Sequence, residues 1–195
     1  FMSYQISVEQ AMQNAGRIMK ETGASAVKLE GGKEVCPQIR AITAAGIPVV
    51  AHIGMTPQSV NAFGGFTVQG KGEANARRVL EDALAVQEAG AFAVTLECVP
   101  PKLSALITKK LDIITIGIGA SPDCDAQVLV WQDMLGISDF KPKFAKHFAE
   151  VGETMREAFR AYDGEVKSGV FPASEHTFVK SDCTEEFLAS LDVEY

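Results

Sequence analysis

Apolar residues along the chain follow two rhythms that take turns. Val8, Met12, Ala15 and Met19 recur at helical spacing behind Ser7, which forms a capping pattern with Gln10, and Gly23 closes the helix. The next apolar run, Ala24 to Glu30, is strand-like and stops on two glycines. A short helix over Val35 to Ala44, with Ile39 and Ile42 on one side, precedes Gly46, Pro48 and a second strand at Val49 to Gly54. The same order continues with a helix near 74–89, a strand at Phe92 to Cys98 and a short helix carrying Leu103, Leu106 and Ile107. It closes with strands at Ile113 to Ala120 and Val128 to Trp131. Strands that alternate with helices lie parallel and are joined by right-handed crossovers.

Two stretches break this rhythm. Residues 55–72 are rich in glycine and without period, which predicts a lid or binding loop. Beyond Trp131 the chain reads as helical. There Phe144, Phe148, Val151, Met155, Phe159, Tyr162 and Val166 form an apolar stripe expected to pack into a core. Residues 1–180 read as one domain and 181–195 as an acidic tail, in which Phe187, Leu188 and Leu191 are expected to fray or dock as a short helix.

The first strand carries an unusual pair. Lys28 and Glu30 share one face while Val27 and Leu29 share the other, so the charges need a partner, a metal or a substrate to offset desolvation. The second strand adds His52 and the third Glu97, which is flanked by apolar residues and suits a general base. The fourth ends on Gly117 and Gly119, small enough for a ligand to approach the backbone. Ionisable groups spread over the carboxyl ends of several parallel strands are the pattern of a (β/α)8 barrel active site. From the residues alone Glu30 is either a hard-metal ligand or the partner of Lys28. His52 is equally a substrate or metal ligand and a hydrogen-bonded core residue.

Composition narrows the setting. A net charge of −7 and a pI near 5.0, without a basic run, exclude a nucleic-acid binder. No apolar run approaches the roughly 18 residues of a membrane span. Cys36, Cys98, Cys124 and Cys183 lack any C-x-x-C spacing, which predicts reduced thiols in a soluble, cytoplasmic protein; Cys98 reads as a small buried filler before it reads as a nucleophile. Gly117-x-Gly119 lacks the third glycine of a dinucleotide fingerprint. The apolar opening Phe1-Met2-Ser3-Tyr4 suggests a chain cut from a longer one.

Six segments together carry a family resemblance. They are Val27 to Gly32 (Val-Lys-Leu-Glu-Gly-Gly), His52 to Ser59 (His-Ile-Gly-Met-Thr-Pro-Gln-Ser), Phe63 to Gly70, Leu96 to Pro100, Ile116 to Ala120 and Pro142 to Lys146. In this order they resemble the ketopantoate hydroxymethyltransferases, and the His52 to Ser59 string is the most specific. The resemblance implies an α/β fold, a (β/α)8 TIM barrel of the phosphoenolpyruvate/pyruvate superfamily. The five strands here would be its strands 4 to 8, followed by C-terminal helices. It implies an enzyme of pantothenate synthesis that transfers a hydroxymethyl group from 5,10-methylenetetrahydrofolate to 3-methyl-2-oxobutanoate through a metal-stabilised enolate. By position Lys28 would contact the substrate carboxylate with His52 also binding substrate, Glu30 would hold Mg2+ or another divalent metal, and Glu97 would be the base. The family's remaining metal ligands, an Asp-Ser pair and an Asp, would lie ahead of Phe1, and its members form homo-oligomers, commonly decamers. Ser121 and Ala126 stand where the family usually has glycine. Two other readings stay open: a non-catalytic barrel remnant that needs a complementing segment, and an aldolase with Lys28 as a Schiff-base lysine.

Overall fold

The alternation of strand and helix patterns builds one parallel sheet. In the computed structural model, which describes residues 1–178 and 183–191, its strands run in the sequential order β1-β2-β3-β4-β5. The chain divides into two compact units, residues 1–130 with 141–146 and residues 131–140 with 147–195.

The first unit holds the sheet. Ser7 accepts a hydrogen bond from the Gln10 amide and so caps α1 (Val8–Glu21). Then follow β1 (Val27–Glu30), α2 (Cys36–Ala44), β2 (Val49–Gly54), α3 (Glu73–Glu88), β3 (Ala93–Glu97), α4 (Pro101–Lys110), β4 (Ile114–Ile118) and β5 (Ala126–Gln127). Strands in sequential order, each pairing parallel with the next and linked mostly through helices, form an arc of an α/β barrel. One face of the arc is apolar. Leu29, Val49, Ala51, Ile53, Val94 and Leu96 are buried there with Ile39 and Ile42 of α2, Val79, Ala83 and Val86 of α3, and Ile107 of α4. The opposite face presents Lys28, Glu30, His52, Thr95 and Glu97, because neighbouring side chains on a strand point to opposite sides.

One expectation about the sheet is corrected here. The strand expected at Val128 to Trp131 begins earlier and is shorter. β5 is Ala126–Gln127, the Val128 amide adds one bond to the Gly117 carbonyl, and Trp131 already opens a helix. Asp125 explains the early start. Its carboxylate accepts from the Thr115 amide (2.8 Å) and hydroxyl (2.9 Å), which draws the chain alongside β4 at once.

The second unit holds α5 (Trp131–Met134), α6 (Val151–Ser168) and α7 (Glu185–Ser190). Gly152 lets the start of α6 meet the turn after α5, since a Cβ there would lie 2.2 Å from the Gly136 carbonyl oxygen. The apolar stripe does form along α6, but it is not core. Met155, Phe159, Tyr162 and Val166 are 44–67% exposed, and Gly152 is the one buried residue of the helix. Phe144 and Phe148 precede α6 and lie outside it. In the tail a short helix forms, with Phe187, Leu188 and Leu191 exposed rather than docked; Ser181, Asp182 and the last four residues lie outside the described ones. No described helix is long and apolar enough to cross a membrane.

Leu96 is fully buried on the helix-covered face, so Leu96→Ala should lower stability by about 2–5 kcal/mol in urea titrations. The Thr115 amide, then its hydroxyl, hold the Asp125 carboxyl below its ordinary range. A carboxyl with a depressed folded pKa stabilises above its unfolded value and loses that contribution as pH falls. The stability difference between wild type and Asp125→Ala should therefore be constant above about pH 5 and shrink below about pH 4.

Candidate active site

Register brings the charged strand ends together. Glu30 pairs with His52, His52 with Thr95, and Gly54 with Glu97, all at the carboxyl ends of adjacent parallel strands. His52 stands between the two carboxylates. Its Nε2 lies 3.0 Å from Glu97 Oε2 and its Nδ1 3.9 Å from Glu30 Oε1, with the imidazole 2% exposed and the carboxylates 12% and 16% exposed. The 3.0 Å approach is an ion-pair distance without the alignment of a hydrogen bond, so among the described residues both ring nitrogens remain without a hydrogen-bond partner. Lys28 lies on the same face two residues before Glu30. It is exposed and borders an open concavity of about 440 Å3, lined also by Val50, Thr95, Ile116, Ala126 and Gln127.

The loop 55–72 is fastened over these strand ends. The Met55 amide donates to the Glu97 carbonyl (2.8 Å) and the Gln69 amide to the Cys98 carbonyl (3.0 Å), so both ends of the loop grip consecutive peptides beside the carboxylate. Within it, the 3-10 turn Pro57–Ser59 directs the Gln58 amide at Glu30 Oε2, 2.8 Å away. Gly54 makes the first grip possible. Its φ is +90°, and a Cβ would lie 2.3 Å from the Glu97 carbonyl oxygen. Cys98 also turns into left-handed backbone, φ +50°, and so carries strain immediately after Glu97. Burial, then the Glu97 charge, push the Cys98 thiol up, which favours the filler over the nucleophile.

Tyr4 completes the surroundings. Its hydroxyl accepts from the Glu30 amide (3.0 Å) and donates to the Glu30 carbonyl (2.9 Å), while Gln58 Oε1 lies 3.3 Å away and accepts from Gln5 Nε2 at 2.7 Å. Burial is the main cause that pushes the phenol up, keeping it a donor. Tyr4 lay in the aromatic opening of the chain and Gln58 in the His52 to Ser59 string, but no spacing rule joins residues so far apart.

Three sequence expectations meet the structure differently. Gly117 and Gly119 do not open space for a ligand: a Cβ at Gly117 would meet Gln127 and Cys124, and one at Gly119 would meet the Phe144 ring at 2.8 Å. Ser121 and Ala126 cost no backbone strain, since neither has positive φ, and Ser121 is buried with its hydroxyl donating to Asp123. Among the described residues no three His, Cys, Asp or Glu side chains gather as a metal site. One Glu30 oxygen is taken by Gln58 and the other faces His52, so the residues present do not by themselves fit a divalent ion.

A buried His thus stands between two carboxylates at the carboxyl rim of a parallel α/β sheet, the rim at which barrel enzymes carry their chemistry. The chain belongs to the ketopantoate hydroxymethyltransferase family, whose model matches residues 1–174. It is 62% identical over 179 residues to the 3-methyl-2-oxobutanoate hydroxymethyltransferase of Clostridium novyi (strain NT), covering 91% of this chain and 65% of that protein. With the protein of the same name from Enterococcus faecalis (strain ATCC 700802 / V583) it shares 61% over 183 residues, or 93% of this chain and 66% of that one. The chain thus spans about two-thirds of the length of these curated relatives. A solved structure of a putative phosphonomutase from Burkholderia cenocepacia J2315 aligns at 17% identity and a TM-score of 0.43, over 83% of this chain and 65% of that one.

Gly54→Ala should force the loop grip off the Glu97 carbonyl and lower stability by at least about 2 kcal/mol, read from denaturant titration.

Proposed function

We propose that the protein takes part in hydroxymethyl transfer from 5,10-methylenetetrahydrofolate to 3-methyl-2-oxobutanoate, giving 2-dehydropantoate for pantothenate and coenzyme A synthesis. The observation that carries this reading is the convergence of Glu30, His52 and Glu97 at three adjacent strand ends in a chain of this family, with Lys28 on the same face. In the route, the Lys28 ammonium meets the substrate carboxylate above the open concavity. Glu97 removes the proton from C3 beside the keto group, and the one-carbon unit gives up both of its bonds to folate nitrogens, one replaced by the bond to the enolate carbon and the other by the bond to a water oxygen. The proton from C3 and one from the water end on the two freed nitrogens, so that the folate leaves as tetrahydrofolate. The mostly buried setting of Glu97 limits competition from solvent for the abstracted proton, and the loop over the strand ends supports such a closed site.

His52 belongs to the substrate-binding group in this reading, since it keeps two ring nitrogens available between the carboxylates. For the divalent ion that the resemblance implies, Mg2+ by preference, Glu30 would be the prospective ligand among the described residues, which by themselves do not make up a metal site; the proton and binding steps are those of Glu97 and Lys28. A cytoplasmic homo-oligomer completes the proposal, supported by the exposed apolar stripe of α6.

Glu97→Gln keeps the size and removes the base. Turnover of 3-methyl-2-oxobutanoate, followed by product formation, should fall about 10²–10⁴-fold while calorimetry still detects substrate binding. Retained turnover would take the base role away from Glu97.

A further inference from the structure

β1 is an edge of the sheet among the described residues, and its last residue is the carboxylate of the site. In a parallel pair, one residue's amide and carbonyl point to the same neighbour. Here the Gly31 amide bonds toward β2, at the His52 carbonyl, so the Glu30 amide and carbonyl face the other way, toward the edge. No strand meets them there among the described residues. A single side-chain hydroxyl does: Tyr4 Oη accepts from Glu30 N at 3.0 Å and donates to Glu30 O at 2.9 Å. The ring that carries it is 7% exposed and part of the core, so the hydroxyl is held rather than adventitious.

The carboxylate is held as well. Glu30 Oε2 accepts from the Gln58 amide, and the Gln58 side chain is fastened in turn by Gln5 Nε2 at 2.7 Å beside the same Tyr4 hydroxyl. Tyr4 with Gln5, Glu30 and Gln58 come from three segments far apart in the chain, so the arrangement is tertiary and not a local turn. We infer that Tyr4 and Gln58 are positioning residues for Glu30, Tyr4 bonding the amide and carbonyl of the last rung of β1 and Gln58 fixing the direction of the carboxylate. The inference rests on Glu30 serving the proposed reaction, but the geometry it describes does not.

The test is Tyr4→Phe, which keeps the ring in the core and removes only the hydroxyl. Amide hydrogen exchange followed by NMR should show the Glu30 amide exchanging at least ~10-fold faster, with the amides of Leu29 and Ala51 unchanged. With 3-methyl-2-oxobutanoate as substrate, kcat should fall about 10-fold while KM, set by Lys28 two residues down the strand, stays within about twofold. An unchanged Glu30 amide, or kcat and KM drifting together with general loss of fold, overturns the inference. Should Tyr4→Phe not fold, Gln58→Ala decides instead: the amide at position 58 should exchange faster and kcat again fall alone, and no change in either refutes the role. A wild-type protein without turnover would remove the proposed reaction, while the exchange measurements would still decide whether Tyr4 holds Glu30.

Discussion

Everything in the site follows from parallel pairing in register. The side-chain period of a strand is two, so the pairing of Glu30 with His52 and of His52 with Thr95 places the ionisable strand-end residues together on one face and Leu29, Ala51, Ile53, Val94 and Leu96 on the other. A slip of one residue in β2 would bury Val50 against α2 and α3 in place of Ala51 and turn His52 into the helix layer. The aliphatic packing of Leu29, Ala51, Ile53 and Leu96 therefore specifies the chemistry indirectly: the hydrophobic face chooses the register, and the register gathers the carboxylates.

Much of this was legible in the sequence because it depends on local period. The run Val27-Lys28-Leu29-Glu30 states its own two faces, and β2 falls where its apolar run does, at Val49–Gly54. Helices with apolar residues at three- and four-residue spacing, such as Val79, Ala83 and Val86 in α3, could be read for the same reason. The direction of Lys28 and Glu30 follows from alternation alone, whereas the approach of His52 to both carboxylates needed the pairing of three strands.

What was not legible depends on contacts between distant segments. Nothing near Tyr4 announces that its hydroxyl ends up on Glu30, and nothing near Gly117 or Gly119 tells that Gln127, Cys124 and Phe144 occupy the room beside them. The stripe of α6 shows the opposite limit. Its helical period is genuine, but period reports which side of a helix is apolar and not whether anything covers that side. The fifth strand was misplaced because Val128 to Val130 has the strongest strand composition, while pairing begins at Ala126 under the hold of Asp125 on Thr115.

The two-ended grip of the 55–72 loop on the Glu97 and Cys98 carbonyls has an evolutionary side. A loop fastened at both feet transmits little of what happens at its crest, and closing a longer one costs only about 0.6 kcal/mol for each doubling of length. Residues between Gly64 and Thr67 can then lengthen, shorten or change character without moving the carboxylate beneath. The crest of the loop and the carboxylates at its feet can thus diverge independently, one drifting while the other stays still.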